Sequence, residues 1–257
     1  MPLPWWTRII LRLLRPFVAV DHVAFIMDGN RRYARHLGCD IANGHRKGLE
    51  KLLEVVSFCN ALGIKTVTVY ALSLQNYRRT HQEIKDLLSI AFEAVNNRGS
   101  LEEFAKSESC QVKFCGDFRF IGDELKENLK KLEKETEIFD RISLNICMSY
   151  GARNEISRAL ECTEKTKDDG EGRDLRRIFC ENLAAGRSGP PQVMIRTSGV
   201  TRLSDFLIYQ CSEFTTFYFT SYKWPQLNPW SLLVTFLHHA LFERRMDTKD
   251  SFTAFSG

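Results

Sequence analysis

Residues 22–35 read HVAFIMDGNRRYAR: an apolar run that stops at an aspartate, turns on a glycine and continues into arginines. His22–Met27 has the length and composition of a buried strand, and Asp28-Gly29-Asn30 is a turn signal behind it. Outward from this stretch the chain alternates. Residues 45–62 place Leu49, Leu52, Leu53, Val56 and Cys59 or Asn60 at helical spacing, and Gly63 closes that helix. Lys65–Leu72 (KTVTVYAL) alternates with β-branched residues and predicts a second strand. Helical periodicity resumes over 81–105, and Gln111–Cys115 is strand-like. A charged amphipathic helix is predicted over 121–139, a strand over Ile142–Ser149 and a helix over 152–165. The charge-dense, Gly-interrupted stretch 163–177 reads as an exposed turn into another helix. Val193–Arg196 and Phe217–Thr220 supply the last strands, and 229–245 the last long helix.

Strands separated by helices imply right-handed crossovers and a mainly parallel sheet. No repeat, low-complexity tract or linker divides the chain. The expected architecture is one α/β domain of about six strands over residues 21–257, behind an N-terminal amphipathic helix at 1–20.

Composition narrows the function classes. With 257 residues, 44% apolar and 26% charged, the chain is neither disordered nor collagen-like. A net charge of +4, with no long basic stripe, does not mark a nucleic-acid binder. The eight cysteines form no CxxC pair and no zinc-ligand spacing, so they read as reduced core residues. In residues 1–20, Arg8, Arg12 and Arg15 share one helical face while Trp5, Ile9, Leu13 and Phe17 share another. That pattern fits a helix lying at a membrane surface or packed on a protein, and the arginines interrupt any bilayer-spanning run.

Ligands of parallel sheets bind beyond the carboxyl ends of strands, so the strand ends decide the chemistry. The first ends in Asp28, Gly29, Asn30, Arg31 and Arg32; the second in Ser73, with Asn76, Arg78 and Arg79 close behind. The strand at 193–196 ends in Arg196-Thr197-Ser198-Gly199, followed by Arg202, Ser204 and Asp205. Guanidinium forks suit phosphate oxygens, and two arginine clusters on separate strands point to two anionic groups. Asn30 and Ser204 are equally legible as helix N-caps, with Asp205 complementing a helix dipole. His45, beside Gly44, is a candidate to cap a helix, orient a phosphate or move a proton. No P-loop or G-x-G-x-x-G motif is present.

The blocks HVAFIMDGNRRYAR, GHRKG (44–48), YALSLQNYRR (70–79) and RTSGVTRLSDFLIYQ (196–210) resemble the signature blocks of the cis-prenyltransferases, the undecaprenyl diphosphate synthase family. The arginine-bearing blocks are similar to the eukaryotic branch, the dehydrodolichyl diphosphate synthase catalytic subunits; bacterial relatives usually carry Gly where this chain has Arg31. The resemblance runs from about residue 22 to Trp224-Pro225 and weakly beyond. It implies condensation of isopentenyl diphosphate onto an allylic diphosphate, Mg²⁺ as cofactor, and a six-stranded sheet whose helices enclose an apolar tunnel. By motif position, it implies that Asp28 binds the metal and promotes transfer. Gly29, Asn30, Arg31, Arg32 and Arg79 would hold the allylic diphosphate, and Arg196, Arg202 and Ser204 the isopentenyl diphosphate. His45, Ser73 and Asn76 would assist at the reacting centre. Leu87, Leu88, Ala91, Phe92 and Val95 would line the tunnel or simply be core.

Departures from the family pattern carry their own expectations. Thr216 stands where many relatives have a second metal-binding Glu, and Glu213 lies three residues earlier. Gln75 replaces a Glu, and Ile41 a phosphate-binding Arg of bacterial relatives. Arg245-Met246-Asp247 replaces the Arg-x-Gly run of self-sufficient homodimers, where an Asp would repel a diphosphate. The resemblance therefore implies a partner subunit, related to the Nogo-B receptor, that supplies Arg-x-Gly, and a peripheral place on the cytosolic face of the endoplasmic reticulum. The rival readings are a non-catalytic or regulatory subunit, and a phosphate-ester hydrolase with Asp28 as nucleophile.

Overall fold

Alternate residues of β1 (His22–Ile26) point to opposite faces: Val23 and Phe25 enter one apolar cluster, Ala24 and Ile26 another. This two-sided burial is what places the strand at the centre of a sheet covered on both faces. The computed structural model describes residues 3–96, 99–165, 174–185 and 188–242. The other strands are β2 (Thr66–Ser73), β3 (Cys110–Cys115), β4 (Ile142–Tyr150), β5 (Val193–Arg196) and β6 (Thr216–Phe219). They form one six-stranded sheet in the order β3-β4-β2-β1-β5-β6, with every neighbouring pair parallel. The strand expectations hold to within about two residues at each end.

The order sets the location of any ligand. From β1 the chain moves to β2 on one side, and β5 later arrives on the other. The carboxyl ends of β1, β2 and β5 therefore meet at the point where strand order reverses, the usual binding crevice of an open parallel sheet.

Helix α1 (Trp5–Leu14) precedes β1, and α2 (Asn30–His36) and α3 (Ile41–Leu62) follow it. The expected helix over 81–105 is two helices, α4 (His81–Val95) and α5 (Ser100–Glu108). Asn96 caps the C-terminus of α4 and Gly99 the N-terminus of α5, so apolar spacing that continues across the break predicts one element where the backbone forms two. The remaining helices are α6 (Asp123–Thr136), α7 (Ala152–Lys165), α8 (Leu175–Asn182) and α9 (Pro229–Phe242). The turn expected over 163–177 lies largely outside the described residues, as does the end of the helix expected over 229–245.

Two cap assignments are corrected. Asn30 is the first residue of α2 and Gly29 is its cap, because the chain leaves β1 with φ +106° at Gly29, where glycine is favoured. Ser204 caps no helix: residues 204–214 run through bends and turns. Asp205 instead serves α7 across space, accepting from Arg153 N–H at 3.1 Å through its carboxylate and from Ala152 N–H at 2.9 Å through its carbonyl.

The helical part of the N-terminus is shorter than 1–20, because Pro16 removes a backbone donor and a 3₁₀ turn covers Arg15–Phe17. Leu11 of α1 is fully buried against the domain. Arg8 donates to Glu108 Oε2 and to Ser57 Oγ, each at 3.2 Å, and Glu108 is itself buried. Trp5, Ile9, Leu13 and Phe17 remain exposed. The arginine face is thus divided: Arg8 turns into the domain while Arg12 stays in solvent. No helix among the described residues is long and apolar enough to cross a membrane. None of the eight cysteines is in a disulfide, and all but Cys39 and Cys162 are buried.

Candidate active site

A cavity of about 540 Å³ opens at the carboxyl edge, between the ends of β1, β2 and β5. It brings together all twelve residues to which the resemblance gives a catalytic or binding role: Asp28, Gly29, Asn30, Arg31, Arg32, His45, Ser73, Asn76, Arg79, Arg196, Arg202 and Ser204; Arg78 and Asp205, also noted at the strand ends, are not in its lining. Its walls depend on close backbone approach. A Cβ on Gly29 would sit 2.7 Å from Ser198 Oγ, and one on Gly44 would sit 2.4 Å from the Asn30 carbonyl. The glycines of GHRKG therefore let α3 lie directly against α2 and bring His45 to the cavity.

Arg196 is the pivot of one half. It is 4% exposed, and a buried guanidinium needs partners. Its Nη2 donates to Asp28 Oδ2 at 2.9 Å, and its Nη1 to Ser204 Oγ at 2.7 Å and to the Arg202 carbonyl. The second Asp28 oxygen lies 3.7 Å from Arg32. Arg196 therefore links the first arginine block to the second, whereas the strand-end reading assigned it to the second alone. Ser204 has φ +53° and Asp205 φ +65°, so the loop carrying Ser204 is held by this network against its backbone preference.

The other half is organised by a carboxylate that the sequence reading did not single out. Glu83 accepts from Arg79 at 2.8 Å and from Arg31 at 3.4 Å, pointing both guanidinium groups at one region. The four-residue spacing of Arg79 and Glu83 was its sequence signal. Ser73 and Asn76 lock each other in a capping box: Ser73 Oγ accepts from Asn76 N–H and Asn76 Oδ1 accepts from Ser73 N–H, both at 3.1 Å. Because its oxygen is used, Asn76 offers its NH₂ donors to the cavity. Burial, together with the charges of Arg79 and Arg31, lowers the His45 imidazole from 6.5 to about 4. His45 is a neutral ring at neutral pH, with its Nε2 buried and unpartnered.

A second, apolar pocket of about 130 Å³ continues inward and shares Met27, Asn30, His45, Ala71 and Leu87 with the polar cavity. Of the residues read as tunnel lining or core, Leu87, Ala91 and Val95 line this pocket, while Leu88 and Phe92 pack on the core. The composite is a polar, arginine-rich mouth over an apolar recess, which suits an amphiphile with an anionic head.

The family model described as putative undecaprenyl diphosphate synthase matches residues 26–247. The chain belongs to this family, the cis-prenyltransferases. Among its relatives is the human dehydrodolichyl diphosphate synthase complex subunit DHDDS, 31% identical over 94% of this chain and 74% of the relative. Another is the tritrans,polycis-undecaprenyl-diphosphate synthase (geranylgeranyl-diphosphate specific) of Methanopyrus kandleri, 34% identical over 93% of this chain and 89% of the relative. Lavandulyl diphosphate synthase from Lavandula x intermedia, solved with dimethylallyl diphosphate, superposes with TM-score 0.80 at 27% identity, covering 86% of this chain and 95% of that one. A probable undecaprenyl diphosphate synthase from Campylobacter jejuni shares the fold, with TM-score 0.67 at 24% identity over 85% of this chain and 95% of that one. The chain is accordingly an enzyme of prenyl transfer.

In this cis-prenyltransferase, Thr216 does not approach Asp28. It opens β6 opposite Val193, about 10 Å along the strand from the edge where Arg196 ends β5. Among the described residues no group of three or more His, Cys, Asp or Glu side chains converges. The cavity therefore offers a divalent cation one carboxylate, Asp28. That fits Mg²⁺, which is commonly held by one or two carboxylates with substrate phosphates and waters. Arg35, Gln75 and Val200 also line the cavity without having been assigned to it from sequence. Arg245-Met246-Asp247 lies outside the described residues.

Proposed function

We propose that this chain condenses isopentenyl diphosphate, in cis and repeatedly, onto an allylic diphosphate such as farnesyl diphosphate. The product is a long-chain polyprenyl (dehydrodolichyl) diphosphate for dolichol and protein glycosylation. One observation carries the reading: Arg31, Arg32, Arg35, Arg79, Arg196 and Arg202, drawn from three separated motif blocks, line one cavity that opens into an apolar pocket. The allylic diphosphate sits among Gly29, Asn30, Arg31, Arg32 and Arg79, with its hydrocarbon chain directed into the recess. Isopentenyl diphosphate sits at Arg202 and Ser204, with Arg196 beneath both groups. Ionisation of the allylic C–O bond concentrates negative charge on the leaving diphosphate, and fixed guanidinium groups in a partly desolvated cleft stabilise that charge. Asp28, between the two sites, would hold Mg²⁺, which adds charge neutralisation on the leaving oxygens. The C=C bond of isopentenyl diphosphate attacks the allylic carbon, and loss of a proton restores the double bond. Ser73, Asn76 and the neutral His45 supply hydrogen bonds near the reacting carbon.

The partner reading is supported by relatives named as complex subunits and by the Arg245-Met246-Asp247 sequence. A subunit resembling the Nogo-B receptor, contributing Arg-x-Gly, would complete the site. The exposed apolar residues of α1 support peripheral contact with the cytosolic face of the endoplasmic reticulum. No observation favours a regulatory, non-catalytic role. The test is incorporation of labelled isopentenyl diphosphate by the chain alone and with its partner. Long product only with the partner is expected; free phosphate without elongation would overturn the reading in favour of hydrolysis.

A further inference from the structure

We propose that Thr197 is the positioning residue of the Asp28 carboxylate, acting on the Asp28 backbone and not on its side chain. This rests on the role assigned to Asp28 above. Thr197 is fully buried at the carboxyl end of β5. Its Oγ1 accepts from Asp28 N–H at 3.0 Å and donates to the Asp28 carbonyl at 2.7 Å. One hydroxyl thus closes a clip on both peptide groups of one residue. The Ile26 carbonyl is also 3.4 Å from this oxygen, but a single hydroxyl proton goes to the nearer acceptor.

The clip lies where the sheet stops helping. The β1–β5 register ends at Ile26 opposite Arg196, and Gly29 already has φ +106°. Asp28 falls between the last paired residue and a left-handed turn, and its side chain is too short to absorb a backbone rotation. Its remaining backbone supports are the Ile26 carbonyl at 2.9 Å and the Trp224 N–H at 3.0 Å. In this state Arg196 also holds the carboxylate itself, at 2.9 Å. A diphosphate arriving at Arg196 and Arg32 competes for those guanidinium groups, and the side chain then loses its fixed partners. Thr197, shielded from ligand and water, keeps the main chain in place while that exchange occurs. Adjacent residues at the carboxyl end of β5 thereby divide the work: Arg196 takes the carboxylate and Thr197 the peptide.

The test is calorimetric titration of inorganic pyrophosphate, with and without Mg²⁺, into the full chain and its Thr197→Val and Thr197→Ser variants. The wild type is expected to bind pyrophosphate more tightly with Mg²⁺. Thr197→Val should lose about tenfold of that metal-dependent gain, while metal-free affinity, set by the arginines, stays within about twofold. Thr197→Ser, which keeps the hydroxyl, should retain the gain. A wild-type gain in Thr197→Val would overturn the proposal and leave the assignment of Asp28 intact. Absence of any gain in the wild type would overturn both. Where Thr197→Val fails to fold, the serine variant decides: a gain lost there assigns the effect to the methyl group and sinks the proposal.

Discussion

Asp28 and Arg196 form the contact on which the site turns, and its asymmetry governs what mutation does. Arg196 is buried and Asp28 one-third exposed, so deleting the carboxylate takes the one charged partner from a largely desolvated guanidinium and leaves it only Ser204 and the Arg202 carbonyl. Asp28→Ala should therefore cost about 1–3 kcal/mol of stability as well as activity. Asp28→Asn, which keeps an acceptor for Arg196, should fold normally and still lose about 10²–10³-fold or more in transfer. Thermal melts beside single-turnover assays separate the two effects, and an active Asp28→Asn enzyme would contradict the assignment. Arg202 gives a sharper discrimination. Its side chain is exposed at the cavity mouth, so Arg202→Ala should raise the KM for isopentenyl diphosphate about tenfold and leave the allylic KM little changed. Equal shifts in both would mean that the substrates are not divided between the clusters. At this scale the sequence was legible wherever a reactive group follows a strand, as Asp28, Ser73 and Arg196 do. It was less legible for groups acting through others: Glu83 left only its four-residue spacing from Arg79, and Thr197 makes its contacts only after β1 and β5 are paired.

Among the elements, the strands were the most legible, because residues buried on both faces leave a short apolar run that little else produces. Helix ends were less so. The break between α4 and α5 at Asn96 and Gly99 interrupts the backbone without interrupting the apolar period. Helix α1 shows how far a face can be read without its neighbours. The spacing of Arg8, Arg12 and Arg15 predicted one polar face, but the buried Glu108 draws Arg8 inward and Leu11 enters the core. Deleting residues 1–18 would consequently uncover the core as well as remove the proposed membrane contact. A cleaner test substitutes Trp5 and Leu13, which are 75% and 70% exposed, with glutamate. Vesicle co-sedimentation should fall while the melting temperature holds; unchanged binding would remove α1 from the membrane reading. Arg8→Ala, in contrast, should cost about 2–3 kcal/mol, since Glu108 loses its cation.

For the whole molecule, the parallel sheet and its strand-order reversal convert four separated sequence blocks into one cavity, and pH acts on the same scale. His22, within the sheet, and His45, at the cavity, are both lowered by burial from 6.5 to about 4. Below 6.5 the unfolded chain takes up protons that the folded chain refuses, so both histidines reduce stability as pH falls toward 4. Above 6.5 neither is protonated in either state, and their contribution is constant. Chemical denaturation between pH 7 and about 4.5 should show this decline, and His22→Gln should flatten part of it. A profile equally steep in that variant would exclude His22 as a source. The central claim is geometric: two diphosphates lie side by side at the ends of β1, β2 and β5 with Asp28 between them. A crystal structure with Mg²⁺, isopentenyl diphosphate and an unreactive allylic diphosphate analogue tests it most directly. One diphosphate should touch Arg32 and Arg79, the other Arg202 and Ser204, with Asp28 at the metal; anions bound elsewhere, or an Asp28 still held only by Arg196, would contradict it.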